Sequence, residues 1–381
     1  MRFPEFHGEW EKCKLGDIAT LTKGSGISKD QRSATGTPCI LYGELYTTYK
    51  SEVINYVVSK TDISDKNLVR SCANDIIIPS SGETAIDIST ARCVLSPDVL
   101  LGGDLNIIRL KDGDGRFFSY QLNGVRKHDI AKIAQGVSVV HLYGESIKGL
   151  TVSFPSNKEQ QKISTLLSLI DERIATQSKL IEDLKKLKSA IIEKLYKGIQ
   201  GTWYSYRQLF SIINERNKQL EYSNVLSASQ ERGMVSREDL NLDIHFERSN
   251  ISTYKIVKNG DYVIHLRSFQ GGFAFSEKTG ICSPAYTVLR PNNLLVYGYL
   301  SNYFTSRDFV KSLIIVTYGI RDGRSINVDE WLDMKVVIPS KEQQTHIVNV
   351  IESIENKIKN EETYSNCLLN QKQYLLRQMF I

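Results

Sequence analysis

One stretch of this chain occurs twice. VSFPSNKEQQKISTLLSLIDERI ends at Ile174, and VVIPSKEQQTHIVNVIESIENKI ends at Ile358. Each copy is an apolar strand-like run, then Pro-Ser, then Glu-Gln-Gln, then a long helical pattern. Pro155 and Pro339 are 184 residues apart, as are Ile170 and Ile354. A repeat of this period restricts the fold to two related halves and is sought before any local assignment. Upstream the echo is fainter but keeps its order. Asn74-Asp75-Ile76-Ile77-Ile78 resembles Gly260-Asp261-Tyr262-Val263-Ile264, and each reads as a turn followed by a strand. Ser81-Gly82 and Gly271-Gly272 then read as turns. Leu105 to Leu110 parallels Ala285 to Arg290, FFSYQLN (117–123) parallels YGYLSNYF (297–304) as short helices, and Gly136-Val137-Ser138 parallels Gly323-Arg324-Ser325.

Each half is therefore expected to be a globular mixed α/β unit followed by one long helix, an α+β architecture. The expected boundaries are 1–150, 151–200, 201–334 and 335–381. Neither Pro nor Gly interrupts Lys158 to Tyr196, or Lys341 to the C-terminus. Apolar residues recur there at steps of three and four. The first helix carries Ile163, Leu167, Ile170, Ile174, Ile181, Leu184, Ile191 and Leu195; the second carries Ile347, Ile351, Ile354, Ile358, Leu368, Leu375 and Met379. Such a sustained heptad seam argues for a coiled coil. At 1.5 Å per residue each helix would be roughly 60 Å long. A dimerisation stalk would show one such seam. Two in one chain, each trailing a similar domain, favour a spacer formed by pairing with each other.

Much chemistry is missing from the pattern. No Gly-Lys dipeptide occurs, so there is no P-loop, and the lone G-x-G of Lys23-Gly24-Ser25-Gly26 reads as a plain turn. No Asn-Pro-Pro-Tyr or Asp-Pro-Pro-Tyr of an amino-methyltransferase appears. The only Pro-Asp, Pro97-Asp98, is followed by no nuclease-like acidic-x-Lys within about thirty residues. The six histidines and six cysteines show no metal-ligand spacing, so neither a metal nor a cofactor is expected. The scattered cysteines suit reduced thiols in a cytoplasmic protein. The start, MRFPEFHGEWEKCK, does not read as a signal peptide, and no apolar run is long enough for a membrane span. With a net charge of +5, any polyanion contact must come from local placement of Lys and Arg.

The order of domain, P-S-x-x-E-Q-Q with a long helix, domain, P-S-x-E-Q-Q with a long helix resembles the specificity subunits of type I restriction-modification enzymes. RFPEFHGEW at the start, KLGDIATLTKG (14–24) and GVSVVHLYGESIKGLTVSFP (136–155) match as well. The resemblance implies two target-recognition domains, each reading one half of a bipartite site on double-stranded DNA. It implies that the helices form an antiparallel coiled coil that sets the gap between half-sites. Two methyltransferase (modification) subunits would dock on the chain, and restriction subunits would add translocation and cleavage. S-adenosylmethionine and ATP would then bind the partners, leaving this chain non-catalytic, without cofactor and without membrane contact. Two rival readings stand beside this one: a single-chain methyltransferase or nuclease, and a coiled-coil adaptor without DNA affinity.

Candidate DNA-contacting residues are those able to grip phosphates or base edges from loops. In the first half these are Lys23, Ser25, Lys29, Arg32, Ser80, Ser81, Thr84 and Arg92. In the second they are Arg216, Lys218, Arg267, Ser268, Gln270, Arg321 and Arg324. Arg can grip guanine bidentately and Gln adenine, while Ser and Lys position phosphates. The seams also predict a register. Gln177, Lys188, Glu361 and Lys372 are strongly polar seam positions, and an unpaired charge there is costly. Facing Lys188 with Glu361 and Gln177 with Lys372 pairs all four, with residue numbers in each facing pair totalling 549.

Overall fold

The computed structural model describes residues 1–64, 67–229, 232–240, 248–265, 272–318 and 325–380. The chain divides into two compact units. The first contains Met1–Lys179 with Glu362–Ile381, and the second contains Leu180–Glu361. The units therefore do not follow the sequence boundaries at 150, 200 and 334. Each of the long helices, α1 (Asn157–Tyr196) and α2 (Lys341–Gln378), contributes a half to each unit.

In the first unit five strands form one sheet: β1 (Ala19–Lys23), β2 (Val53–Ile54), β3 (Asp75–Pro79), β4 (Arg92–Val94) and β5 (Leu105–Leu110). Their order is β1-β5-β3-β4-β2, antiparallel except for the parallel β2–β4 edge. The second unit has β6 (Phe210–Ile213), β7 (Tyr262–Ile264), β8 (Phe273–Phe275) and β9 (Thr287–Pro291), in the order β6-β9-β7-β8. This is the arrangement of β1, β5, β3 and β4 repeated. The uninterrupted apolar run of β3 is explained by burial on both faces. Ile76, Ile78 and Ile108 enter one core while Ile77, Leu105 and Ile107 enter another, because successive strand residues face opposite ways. The second unit splits Tyr262, Ile264 and Leu289 from Val263 and Val288 in the same manner.

Three details tie the repeat to its cause. Asn74 and Gly260 both have positive φ, at 77° and 93°, and each precedes a buried aspartate at the entry to a strand, Asp75 as the first residue of β3 and Asp261 just before β7. Asn and Gly are the residues that enter this region at least cost. The aspartates then hold matching arginines bidentately: Arg109 donates to Asp75 at 2.8 and 2.7 Å, and Arg290 to Asp261 at 2.9 and 2.8 Å. Arg290 thus corresponds to Arg109, one position from the alignment with Leu110. Ser81-Gly82 is a two-residue strand paired with Val140–His141, where a turn was expected.

The Glu-Gln-Gln motif also acquires a role, with a shifted alignment. The side-chain amide of Gln160 donates to Pro155 O at 2.8 Å, and its carbonyl accepts from Asp114 N at 3.0 Å. Gln344 donates to Pro339 O at 3.0 Å and accepts from Val296 N at 2.8 Å. The equivalent glutamines lie five residues after proline, so the first Gln of one motif matches the second of the other. Each is buried and bolts the start of its helix to the adjoining domain.

Every expected seam residue is at least half-buried. Ile163, Leu167, Ile170, Ile347, Ile351, Ile358, Leu368, Leu375 and Met379 are fully buried; Ile174, Ile181, Leu184, Ile191, Leu195 and Ile354 are intermediate. In the first unit Ile163, Leu167 and Ile170 share a core with Leu375 and Met379. In the second, Ile192, one place along from the expected Ile191, shares a core with Ile347 and Ile351. The helix halves run antiparallel in each unit. The register, however, differs from the expected one. Lys188 meets Glu355 at 2.5 Å, and Glu361 is instead paired with Lys357 on its own helix. Lys372 meets Asp171 at 2.5 Å and also bonds Glu52. Both interhelical pairs total 543. The expectation counted only polar residues on the ideal heptad seam. Asp171 and Glu355, beside the seam, offered carboxylates within reach of the lysines.

Candidate nucleic-acid interface

Antiparallel pairing brings certain loop residues together at one end of the first sheet. Lys23 closes β1 opposite Asn106, and Pro79 closes β3 opposite Leu105. Just beyond, Gly24 N donates to Leu105 O at 3.0 Å and Ser25 N to Leu101 O at 3.0 Å. A Cβ on Gly24 would lie 2.0 Å from Gly102 O, so the Gly of this turn is needed for close backbone approach. Ser80 N donates to Asp104 O at 2.7 Å, and Ser81 follows in its short strand. Lys23, Ser25, Ser80 and Ser81 therefore converge.

Their side chains are not equally available. Lys23 is exposed. Ser25 Oγ accepts from Val69 N at 2.8 Å, and Ser80 and Ser81 are buried. Thr84 is exposed and caps the short helix Ala85–Ile88, its hydroxyl accepting from Asp87 N at 3.1 Å. Lys29 begins a 3-10 turn, Lys29–Gln31, and is exposed. Arg32 ends that turn with its guanidinium 3.6 Å from Glu44. Arg92 is a correction. It is buried, its guanidinium donates to Leu45 O and Tyr49 O at 3.0 and 2.9 Å, and desolvation lowers its pKa. It braces the segment 45–49 and offers nothing to an outside ligand.

In the second unit Arg216 and Lys218 are exposed on either side of buried Asn217. The Asn217 amide donates to Tyr222 O at 2.7 Å and its carbonyl accepts from Tyr222 N, which clamps the loop and turns its two cations outward. Arg216 bridges Lys255 through the backbone, and Lys255 donates from Nζ to Tyr286 O at 2.7 Å. Burial lowers the Lys255 pKa. Arg267, Ser268, Gln270, Arg321 and Arg324 lie outside the described residues. The chain on either side of 266–271 is the β7–β8 hairpin, topologically the β3–β4 connection that carries Ser80, Ser81 and Thr84.

Sequence reasoning passed over His141, Tyr143, Val137 and Val139. All four are exposed, and the strand Val140–His141 pairs with Ser81. The segment 136–155 drew notice as a whole, but its surface residues carry no motif. Chemically, the described candidates offer ammonium and guanidinium donors in both units, from Lys23, Lys29 and Arg32 in the first and Arg216 and Lys218 in the second, a set suited to phosphates and base edges. Among the described residues no group of three or more His, Cys, Asp or Glu could hold a metal ion, and no helix is long and apolar enough to cross a membrane.

A family model described as type I restriction modification DNA specificity domain matches residues 7–186. The putative type I restriction enzyme MjaX specificity subunit of Methanocaldococcus jannaschii is 23% identical over 93% of this chain and 88% of its own length. The MjaVIII specificity subunit of the same organism is 26% identical over 52% of this chain, which spans only 45% of that relative. The crystal structure of a type I restriction-modification S subunit from M. genitalium shares the fold. It superposes with a TM-score of 0.60 at 16% identity and covers 100% of this chain and 99% of that one.

Proposed function

From the chain's place in the type I restriction-modification specificity-subunit family, we propose that it reads a bipartite sequence on double-stranded DNA, one half-site per unit. On this reading it carries no catalysis of its own. Two modification subunits, with S-adenosylmethionine, methylate the target it selects, and restriction subunits act through it. One observation carries the reading: two units repeat the same strand order while the chain leaving the first strand carries Lys23 in one and Arg216 and Lys218 in the other. Lys23, Thr84, Lys29 and Arg32 are the candidates in the first unit, and Arg216 and Lys218 in the second. Arg267, Ser268, Gln270, Arg321 and Arg324 extend the second set by sequence. Two different readers on one chain make an asymmetric target, as twofold-related readers make a palindrome.

Methylome sequencing of a host expressing this chain with its modification subunits tests the proposal. The expected result is one methylated motif in two unlike parts separated by unspecified bases. An uninterrupted motif, or S-adenosylmethionine binding by the isolated chain, contradicts it.

A further inference from the structure

The loop after Gln135 is closed by two backbone bonds: Gln135 N donates to His141 O at 2.9 Å, and His141 N to Gln135 O at 2.7 Å. Inside it Gly136 has φ +123°, and a Cβ there would lie 2.1 Å from Val139 O, so the loop is tightly folded on itself. Its base is the Val140–His141 strand, paired with Ser81–Gly82 at the displayed end of the sheet. Val140 is buried, which anchors the loop, but Val137 is 97% exposed and Val139 52% exposed. A single exposed apolar residue is ordinary. Here two valines stand on a pinned loop whose other members are Gly136 and Ser138, with no charge, beside exposed His141 and Tyr143.

Resting on the DNA-reading function proposed above, we propose that Val137 and Val139 are specificity residues that contact the C5-methyl group of a thymine in the half-site read by the first unit. The methyl of thymine is the apolar group that base edges present in the major groove, and aliphatic side chains are its partners. The loop is continuous with the sheet end bearing Lys23 and Thr84, which places it beside the groups available to phosphates. The sequence counterpart in the second half is Gly323-Arg324-Ser325, which has Arg324 in place of Val137.

The test uses the assembled methyltransferase and duplexes bearing its methylome-defined motif. Each thymine of the half-site assigned to the first unit is replaced in turn by deoxyuridine, which removes only the methyl. One replacement should weaken binding by the wild type about fourfold, the equivalent of about 0.8 kcal/mol for one methyl-sized group. Val137→Ser should weaken binding to the thymine duplex and bind the thymine and deoxyuridine duplexes equally. Val137→Ile should keep the discrimination. Because Val137 is exposed, the melting temperature of both variants should match wild type. Three outcomes overturn the proposal: no deoxyuridine effect in wild type, an undiminished effect in Val137→Ser, or loss of subunit assembly in Val137→Ser without DNA. The last would mark the loop as a protein contact. All three leave a bipartite motif standing, whereas absence of any bipartite motif removes the parent reading together with this one.

Discussion

The two units hold the same ion pair in different surroundings. The duplication carries Asp171 onto Glu355 and Lys188 onto Lys372, so Asp171–Lys372 and Lys188–Glu355 are repeats of one another. In the first unit the pair is buried, with side chains 7% and 11% exposed, and has company. Lys372 also bonds buried Glu52, while Asp171 accepts from the Ser51 and Tyr120 hydroxyls at 2.8 Å each. In the second unit the lysine and carboxylate are 26% and 43% exposed. One inherited register is thus held by a buried network at one end and by a half-solvated bridge at the other. The contrast shows that duplicated residues need not carry duplicated energy, because desolvation and not distance sets the scale.

Removing each lysine in turn would break or sharpen this comparison. Lys372→Met should cost about 3–5 kcal/mol by leaving two buried carboxylates unpaired, read as loss of stability in denaturant. Adding Glu52→Gln should recover part of the loss; if it recovers nothing, the network is not the cause. The pH dependence has a definite sign. Burial opposes the Lys372 ammonium, but Glu52 and Asp171 outweigh it and raise its pKa. Its stabilisation is therefore present below the unfolded value of about 10.4 and is lost as pH rises through the folded one. Burial raises the Glu52 pKa, partly offset by Lys372. In Lys372→Met the offset is gone and the Glu52 pKa rises further, so the variant's deficit should shrink as pH falls through that raised value, before the unfolded carboxylates near 4 take up protons. A deficit independent of pH would contradict this account.

The glutamines should behave alike where the ion pairs do not. Gln160→Ala leaves the Pro155 carbonyl and the Asp114 N–H without their partner, and Gln344→Ala leaves the Pro339 and Leu294 carbonyls and the Val296 N–H without theirs, which costs about 1–3 kcal/mol per buried group left unpaired. Similar losses are expected for the two variants in melting experiments, and a severalfold disparity would show that the repeat is not equivalent at its helix starts. The smallest effect belongs to Lys188→Met, where a partly exposed bridge contributes about 0–1 kcal/mol. If Lys188→Met destabilises as much as Lys372→Met, the comparison between buried and half-solvated pairs fails.

The repeat, the helices and their seam were legible because periodicity and Pro-Ser-Glu-Gln-Gln are local signals. The register was not. It turned on Asp171 and Glu355, whose reach depends on side-chain direction that a seam pattern does not encode. Arg92 shows the matching limit in the candidate interface: an arginine destined for buried backbone carbonyls looks, in sequence, like one meant for DNA. Val137 and Val139 escaped notice for the reverse reason, since valine in a string of apolar residues reads as core.

The central claim, that each unit reads its own half-site, is tested most directly by exchange. Residues 1–150 are replaced by the corresponding segment of a specificity subunit with a different known motif, and the methylome is read with the same modification subunits. One half of the methylated motif should change to the donor's while the other half stays as in wild type. A change in both halves, or in neither, would contradict the account.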